Sequence, residues 1–227
     1  ACAHAPRTLP KTPAPPPLAY VALGGGEVLG DGTDDSLRDA WPQVLFRTAL
    51  PRSATLVNFA SSGATVDDLA NRQVPLALAT HPGLVTISLF DDLFDGMSVA
   101  TYEHTLQTAV HQLRTSGARV LLGNIGLFDQ RPGYRACVGA STGTATCALS
   151  GPAPQPPDLM SRTDALNAAI ARVARAEGAT LVDLHAAQVA DRAAGREAAQ
   201  YSDGITVNTE GARAIAAVFA AALPRLP

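Results

Sequence analysis

The chain has 227 residues, with 17 basic and 20 acidic side chains and a formal net charge of −3. That length suits one domain with a sizeable core, and the balanced charge lacks the basic footprint of a nucleic-acid binder. No apolar run reaches the roughly 18–20 residues that a helix needs to cross a bilayer, so membrane attachment would have to come from an anchor.

Residues 1–17 read as a tether, because residues 3–17 hold six prolines, which cannot build a helix or a central strand. Ahead of them, Ala1-Cys2 resembles the end of a bacterial lipoprotein cleavage site, which implies a lipid on Cys2. The other reading is an unmodified cysteine in a disordered tail. A folded domain is expected over 18–227.

Residues 18–23 form a short apolar run that stops at Gly24-Gly25-Gly26, the pattern of a buried parallel strand entering a turn. The spacing predicts a helix over 36–50, capped by Ser36, with Leu37, Trp41, Val44, Leu45 and Thr48 on one face. A second strand is expected over 54–59, with its turn over 60–63. Residues 65–78 read as helical, with Pro75 bending or ending the helix. A third strand follows over 84–90. The clearest helix spans 98–117, where Tyr102, Leu106, Ala109, Val110 and Leu113 recur at spacings of three and four. A fourth strand is expected over 118–125, a helix over 158–178, a fifth strand over 180–184 and a last helix over 209–223.

Between the fourth strand and the helix at 158 lies a Gly/Ser/Thr-rich stretch, 136–151, holding Cys137 and Cys147. No further His or Cys lies at ligand spacing for a zinc site, so a disulfide is expected, which suits an oxidising compartment. Five short apolar strands alternating with helices imply an α/β fold: a three-layer α/β/α sandwich on a five-stranded parallel sheet, flavodoxin-like in outline. In such folds the ligand crevice lies at the carboxyl ends of the strands.

Four segments fall at those ends: Ala22-Leu23-Gly24-Gly25-Gly26, Asn58-Phe59-Ala60-Ser61-Ser62-Gly63-Ala64-Thr65, Val85-Thr86-Ile87-Ser88-Leu89-Phe90-Asp91-Asp92-Leu93 and Tyr201-Ser202-Asp203-Gly204-Ile205-Thr206-Val207-Asn208. Together they resemble the blocks of the SGNH, or GDSL-like, hydrolases: Gly-Asp-Ser after strand one, a Ser-Gly turn, Gly-x-Asn-Asp, and Asp-x-x-His. The resemblance implies ester hydrolysis by a serine that histidine activates and aspartate orients, with backbone N–H groups and an asparagine holding the oxyanion.

On that alignment Gly26 stands at the serine position, Gly63 at the oxyanion glycine, Asp91 at the asparagine, Asp203 at the triad aspartate and Thr206 at the histidine. A register shifted by one residue is the alternative for Asp91 and Asp92. Glycine has no oxygen to attack with, and threonine is no general base near neutral pH. Taken singly, Gly26 is an ordinary turn glycine and Asp203-Gly204 an ordinary turn. Their coordinated appearance at one site implies a degenerate member, a pseudo-esterase acting as a binding or scaffolding module of the cell envelope, secreted or lipid-anchored. Its partner would be a small molecule, an acyl or glycan ligand, or an envelope protein, with no cofactor and no metal.

Two rivals remain. An active esterase or acylhydrolase could use Ser61 or Ser62 with His185, which follows strand five. A dinucleotide loop resembles Gly24-x-Gly26-x-x-x-Gly30, but no helix is expected to start within it, and Asp31-Gly32-Thr33-Asp34-Asp35 would repel phosphate. Gly139-Ala140-Ser141-Thr142-Gly143 matches a nucleophile elbow as a string, without the strand and helix that motif requires.

Overall fold

The computed structural model describes residues 17–138, 147, 149, 153–202 and 204–223. Five strands, β1 (Ala19–Gly24), β2 (Thr55–Asn58), β3 (Leu84–Ser88), β4 (Arg119–Gly123) and β5 (Thr180–Val182), form one parallel sheet in the order β2-β1-β3-β4-β5. Register pairs Tyr20 with Leu56 on one side and Leu84 on the other.

Alternation along the strands splits the core into two. Val21, Leu23, Val85, Ile87, Val120 and Leu122 face one layer, built on α6 (Val99–Thr115) and α8 (Pro156–Glu177). Tyr20, Ala22, Leu84, Leu121 and Val182 face the other, where α3 (Trp41–Ala49) packs on α10 (Thr209–Ala221) and Trp41 stacks on Phe219 with ring centroids 4.2 Å apart. The expected three-layer sandwich is therefore the observed architecture.

The helix expected over 36–50 divides into α2 (Ser36–Asp39) and α3. Ala40 between them is extended and Pro42 opens the second piece, so Leu37 falls off the buried face and is 85% exposed. The helix expected over 65–78 starts with a capping box between Thr65 and Asp68 and comprises α4 (Val66–Asp68), a π-helical turn (Leu69–Gln73) and α5 (Val74–Ala79). Pro75 has no N–H for a continuous α ladder, and the wider turn before it absorbs the break.

Other elements were not legible from periodicity. They are one turn of helix at α1 (Gly26–Leu29), α7 (Pro132–Cys137), α9 (Leu184–Ala193) and a 3₁₀ turn (Glu197–Gln200). β5 passes directly into α9, whose first turn is capped by the Asp183 carboxylate accepting from Ala186 N–H at 2.9 Å.

Candidate functional site

β1 lies between β2 and β3, so the chain leaves it to opposite sides and opens a crevice at its carboxyl end. The backbone there is tightly fixed. Gly24 has φ +142°, and a Cβ on it would stand 1.9 Å from the Ser88 carbonyl oxygen, so only glycine fits. Gln73, buried in the π-helical turn, clamps the same residue: Gly24 N–H donates to its Oε1 at 2.8 Å, and its Nε2 donates to the Gly24 carbonyl at 3.0 Å.

Contrary to the sequence expectation, a helical turn does begin in the glycine loop: α1 starts at Gly26, with Gly25 as its N-cap and Gly30, in the left-handed region, as its C-cap. Burial of its Glu27 explains why. The Glu27 carboxylate meets the fully buried Arg131 guanidinium at 2.5 Å. Arg131 also donates to the carbonyls of Leu127 and Ile205, both at 2.8 Å, and lies 3.6 Å over the Phe128 ring. One arginine thus joins the first strand-end turn to the segment carrying Thr206.

Two carboxylates occupy the space beside the next two glycines. A Cβ on Gly25 would meet Asp91 Oδ2 at 2.7 Å, and a Cβ on Gly26 would meet Asp31 Oδ2 at 2.7 Å. Asp31 is held by a hydrogen bond from Ser62 Oγ and by its own N–H donating to the Gly26 carbonyl at 2.9 Å. The acidic loop that carries it is tied down further on, where Asp34 exchanges hydrogen bonds with Thr209 Oγ1. Gly32 in the same loop presses on Thr206: a Cβ there would stand 2.6 Å from Thr206 Oγ1.

These residues border a cavity of about 440 Å³, lined by Gly26, Asp31, Gly63, Thr65, Phe90, Asp91, Phe94, Asp95, Leu149, Ile205 and Thr206. Among the described residues, no Lys, Arg or His lines it. Asp91 Oδ2 is buried without a hydrogen-bond partner among the described residues. Burial first, then the neighbouring charges of Glu27, Asp31 and Asp68, push the Asp91 carboxyl up to about 7. Asp92, fully buried behind it, accepts from Val66 N–H at 2.9 Å. It is also pushed up to about 7, chiefly by burial, with Asp95 and Asp91 adding to the effect.

The structure therefore gathers Gly26, Gly63, Asp91 and Thr206 at one cavity, while Asp203 and Cys2 lie outside the described residues, as does 139–143. Cys137 and Cys147 form the expected disulfide, with Cα atoms 4.7 Å apart. Among the described residues no group of three or more His, Cys, Asp or Glu could hold a metal ion.

The pairing of Ser61 or Ser62 with His185 is not formed. Their strands, β2 and β5, are the opposite edges of the sheet, about 19 Å apart at ~4.8 Å per strand. Ser61 Oγ accepts from Arg72 at 2.5 Å, and Ser62 is bound to Asp31. His185 borders a separate cavity of about 260 Å³ with Leu127, Phe128, Leu159, Met160 and Val189. The sequence reading missed the roles of Asp31, Gln73 and the Glu27–Arg131 pair. Only Asp31 left a local signal, in the acidic run after the glycine loop.

Comparison with known proteins bears on the same strand ends. No curated protein matches the chain. Among solved structures, a member of the lipolytic G-D-S-L family from Veillonella parvula is similar with a TM-score of 0.68 at 14% identity, covering 92% of this chain and 100% of that one. The lipase/acylhydrolase from Enterococcus faecalis gives 0.67 at 18%, covering 90% and 94%. A catalytic mutant of an acetylxylan esterase from Geobacillus stearothermophilus gives 0.65 at 19%, covering 89% and 92%. A family model matches residues 24–214, from the clamped glycine after β1 into α10, and by that match the chain belongs to the GDSL-like Lipase/Acylhydrolase family.

Proposed function

We propose that this chain is a non-hydrolytic member of its family, a pseudo-esterase that binds a ligand or scaffolds a partner at the cell envelope. The observation that carries the reading is Asp31: its carboxylate oxygen stands beside Gly26, where a serine side chain would have to be, and is tethered there by Ser62. The residue at the histidine position is Thr206, and a carboxyl at residue 91 would repel an oxyanion when ionised. The names of the structural relatives speak for ester chemistry, whereas the described lining of this cavity holds no serine and no histidine. The envelope assignment is supported by the Cys137–Cys147 disulfide and by Cys2 ahead of the Pro-rich stretch.

Incubation with a fluorophosphonate probe and short-chain aryl esters tests the reading. Neither labelling nor turnover above buffer is expected, and the Gly26→Ser/Asp31→Ala/Thr206→His variant should gain labelling. Labelling of the unaltered chain that disappears with Ser61→Ala or Ser62→Ala overturns it. For the anchor, intact mass from the native host should show lipid on Cys2, and a free thiol there removes it.

A further inference from the structure

A second cavity, of about 260 Å³, lies between α8, α9 and the loop after β4. Phe128 separates it from the strand-end cavity: it lines the second and packs on Phe90 and Phe94 of the first, with ring centroids 4.9 and 5.8 Å apart. The floor is preformed, as small-molecule sites usually are. Ile125 N–H donates to Asn167 Oδ1 at 2.7 Å, Asn167 Nδ2 donates back to the Ile125 carbonyl at 2.8 Å, and Leu127 N–H donates to Gln188 Oε1 at 2.6 Å. A Cβ on Gly126 would overlap the same Gln188 amide, so the floor needs a glycine between those two anchored residues. Leu127, Phe128, Leu159, Met160 and Val189 make the walls apolar, and Met160 and Val189, 56% and 47% exposed, leave the mouth open. An apolar cavity of about 150 Å³ holds benzene, so this one has room for one ring with a short substituent.

His185, half-buried on the wall, supplies the polar contact. Its Nδ1 lies 3.3 Å from the Ile125 carbonyl oxygen, which can only accept, so Nδ1 carries the proton and the neutral ring presents Nε2 as an acceptor. Nε2 has no hydrogen-bond partner among the described residues. The Arg192 guanidinium on the same wall is engaged by Asp129 at 2.7 Å and by Glu197 at 2.5 Å, so among the described lining no cation is free for a carboxylate ligand. Asp164 at the rim is exposed, where its attraction for an ammonium is weak, and such a cation would lose its hydration among Leu127, Phe128 and Leu159. The group that fits is a neutral hydroxyl on an aromatic ring, which donates to Nε2. An ether on the same ring turns one acceptor toward another.

We propose that the cavity between α8 and α9 binds a small aromatic alcohol, with its ring among Phe128, Leu159 and Val189 and its hydroxyl donating to His185 Nε2, whatever the strand-end cavity does. The test titrates 4-methylphenol, 4-methylanisole and 4-methylbenzylamine into the ¹⁵N-labelled full chain at about pH 8, following the Gly126 and Leu127 amides and the histidine Nε2 signals. The phenol should saturate these signals and bind about three- to tenfold more tightly than the ether, as one neutral hydrogen bond contributes. His185→Phe keeps an apolar ring and leaves the Ile125 carbonyl bonded to Asn167, and it should bring phenol and ether to within about twofold of each other. Val189→Trp, at an exposed position, should block the mouth and abolish binding of both with the thermal midpoint unchanged. Equal or tighter binding of the ether or the amine, a preference that survives His185→Phe, or binding that survives Val189→Trp overturns the proposal. So do a lack of saturation and shifts confined to Gly26 and Gly63. Self-association in sedimentation that Val189→Trp abolishes would give this face to a second copy of the chain, which also overturns it.

Discussion

At residue 24 even a methyl group has no room: it would overlap the Ser88 carbonyl and require a backbone angle that L side chains rarely adopt. Gly24→Ala should therefore destabilise the fold by at least about 3 kcal/mol, read as a drop in the urea midpoint at constant slope. Gly25 and Gly26 differ in kind, since a Cβ there meets only the ends of Asp91 and Asp31, which can swing aside. The three glycines look alike in the sequence, yet one is demanded by the backbone and two leave room for carboxylates. Their identity as strand-end residues was legible from the apolar run before them. That Asp31 and Asp91 fill the adjoining space was not, because each arrives from another loop.

Among the elements, α1 stands where the sequence spoke against a helix, because four residues carry too little periodicity to show one. Glu27 holds it against Arg131, and that buried pair links α1 to the segments around 127 and 205. Removing one partner of a buried ion pair costs roughly 3–5 kcal/mol, as it leaves the other charge uncompensated. Arg131→Met should show a loss of that order by chemical denaturation, and the Glu27→Leu/Arg131→Met double variant should regain much of it. A double variant no more stable than the single one would assign Arg131 a packing role instead, through Phe128 and Tyr201. The π-helical turn is a second element of this kind: Pro75 signals a break, but nothing local shows that the break aims Gln73 at Gly24.

Over the whole molecule, the two carboxyls beneath the cavity set a pH dependence. Asp91 and Asp92 are both raised to about 7 in the fold, against about 3.9 in an unfolded chain. Between about pH 4 and 7 the folded state keeps protons that the unfolded state has released, so their contribution is fully present below pH 4 and is lost as pH rises through 7. Stability should be higher at pH 5.5 than at pH 8. Asp92→Asn, which keeps an acceptor for Val66 N–H, should raise stability at pH 8 by on the order of 2–4 kcal/mol and flatten the slope. An unchanged slope in urea titrations at the two pH values would show that Asp92 is not the source. The sequence by itself determined the five strands, their parallel three-layer arrangement and the three blocks that follow β1, β2 and β3, because apolar runs, terminal glycines and block spacing are local properties of the chain; the fourth block, 201–208, follows a 3₁₀ turn and not a strand. It also put Cys137 and Cys147 close enough along the chain to bond. Only the tertiary structure decided that Ser61 and Ser62 lie at the opposite sheet edge from His185, that α1 begins at Gly26, and that Asp31 stands beside it. Those outcomes depend on strand order and loop closure across β1 and β3, which bring together residues that no spacing along the chain relates.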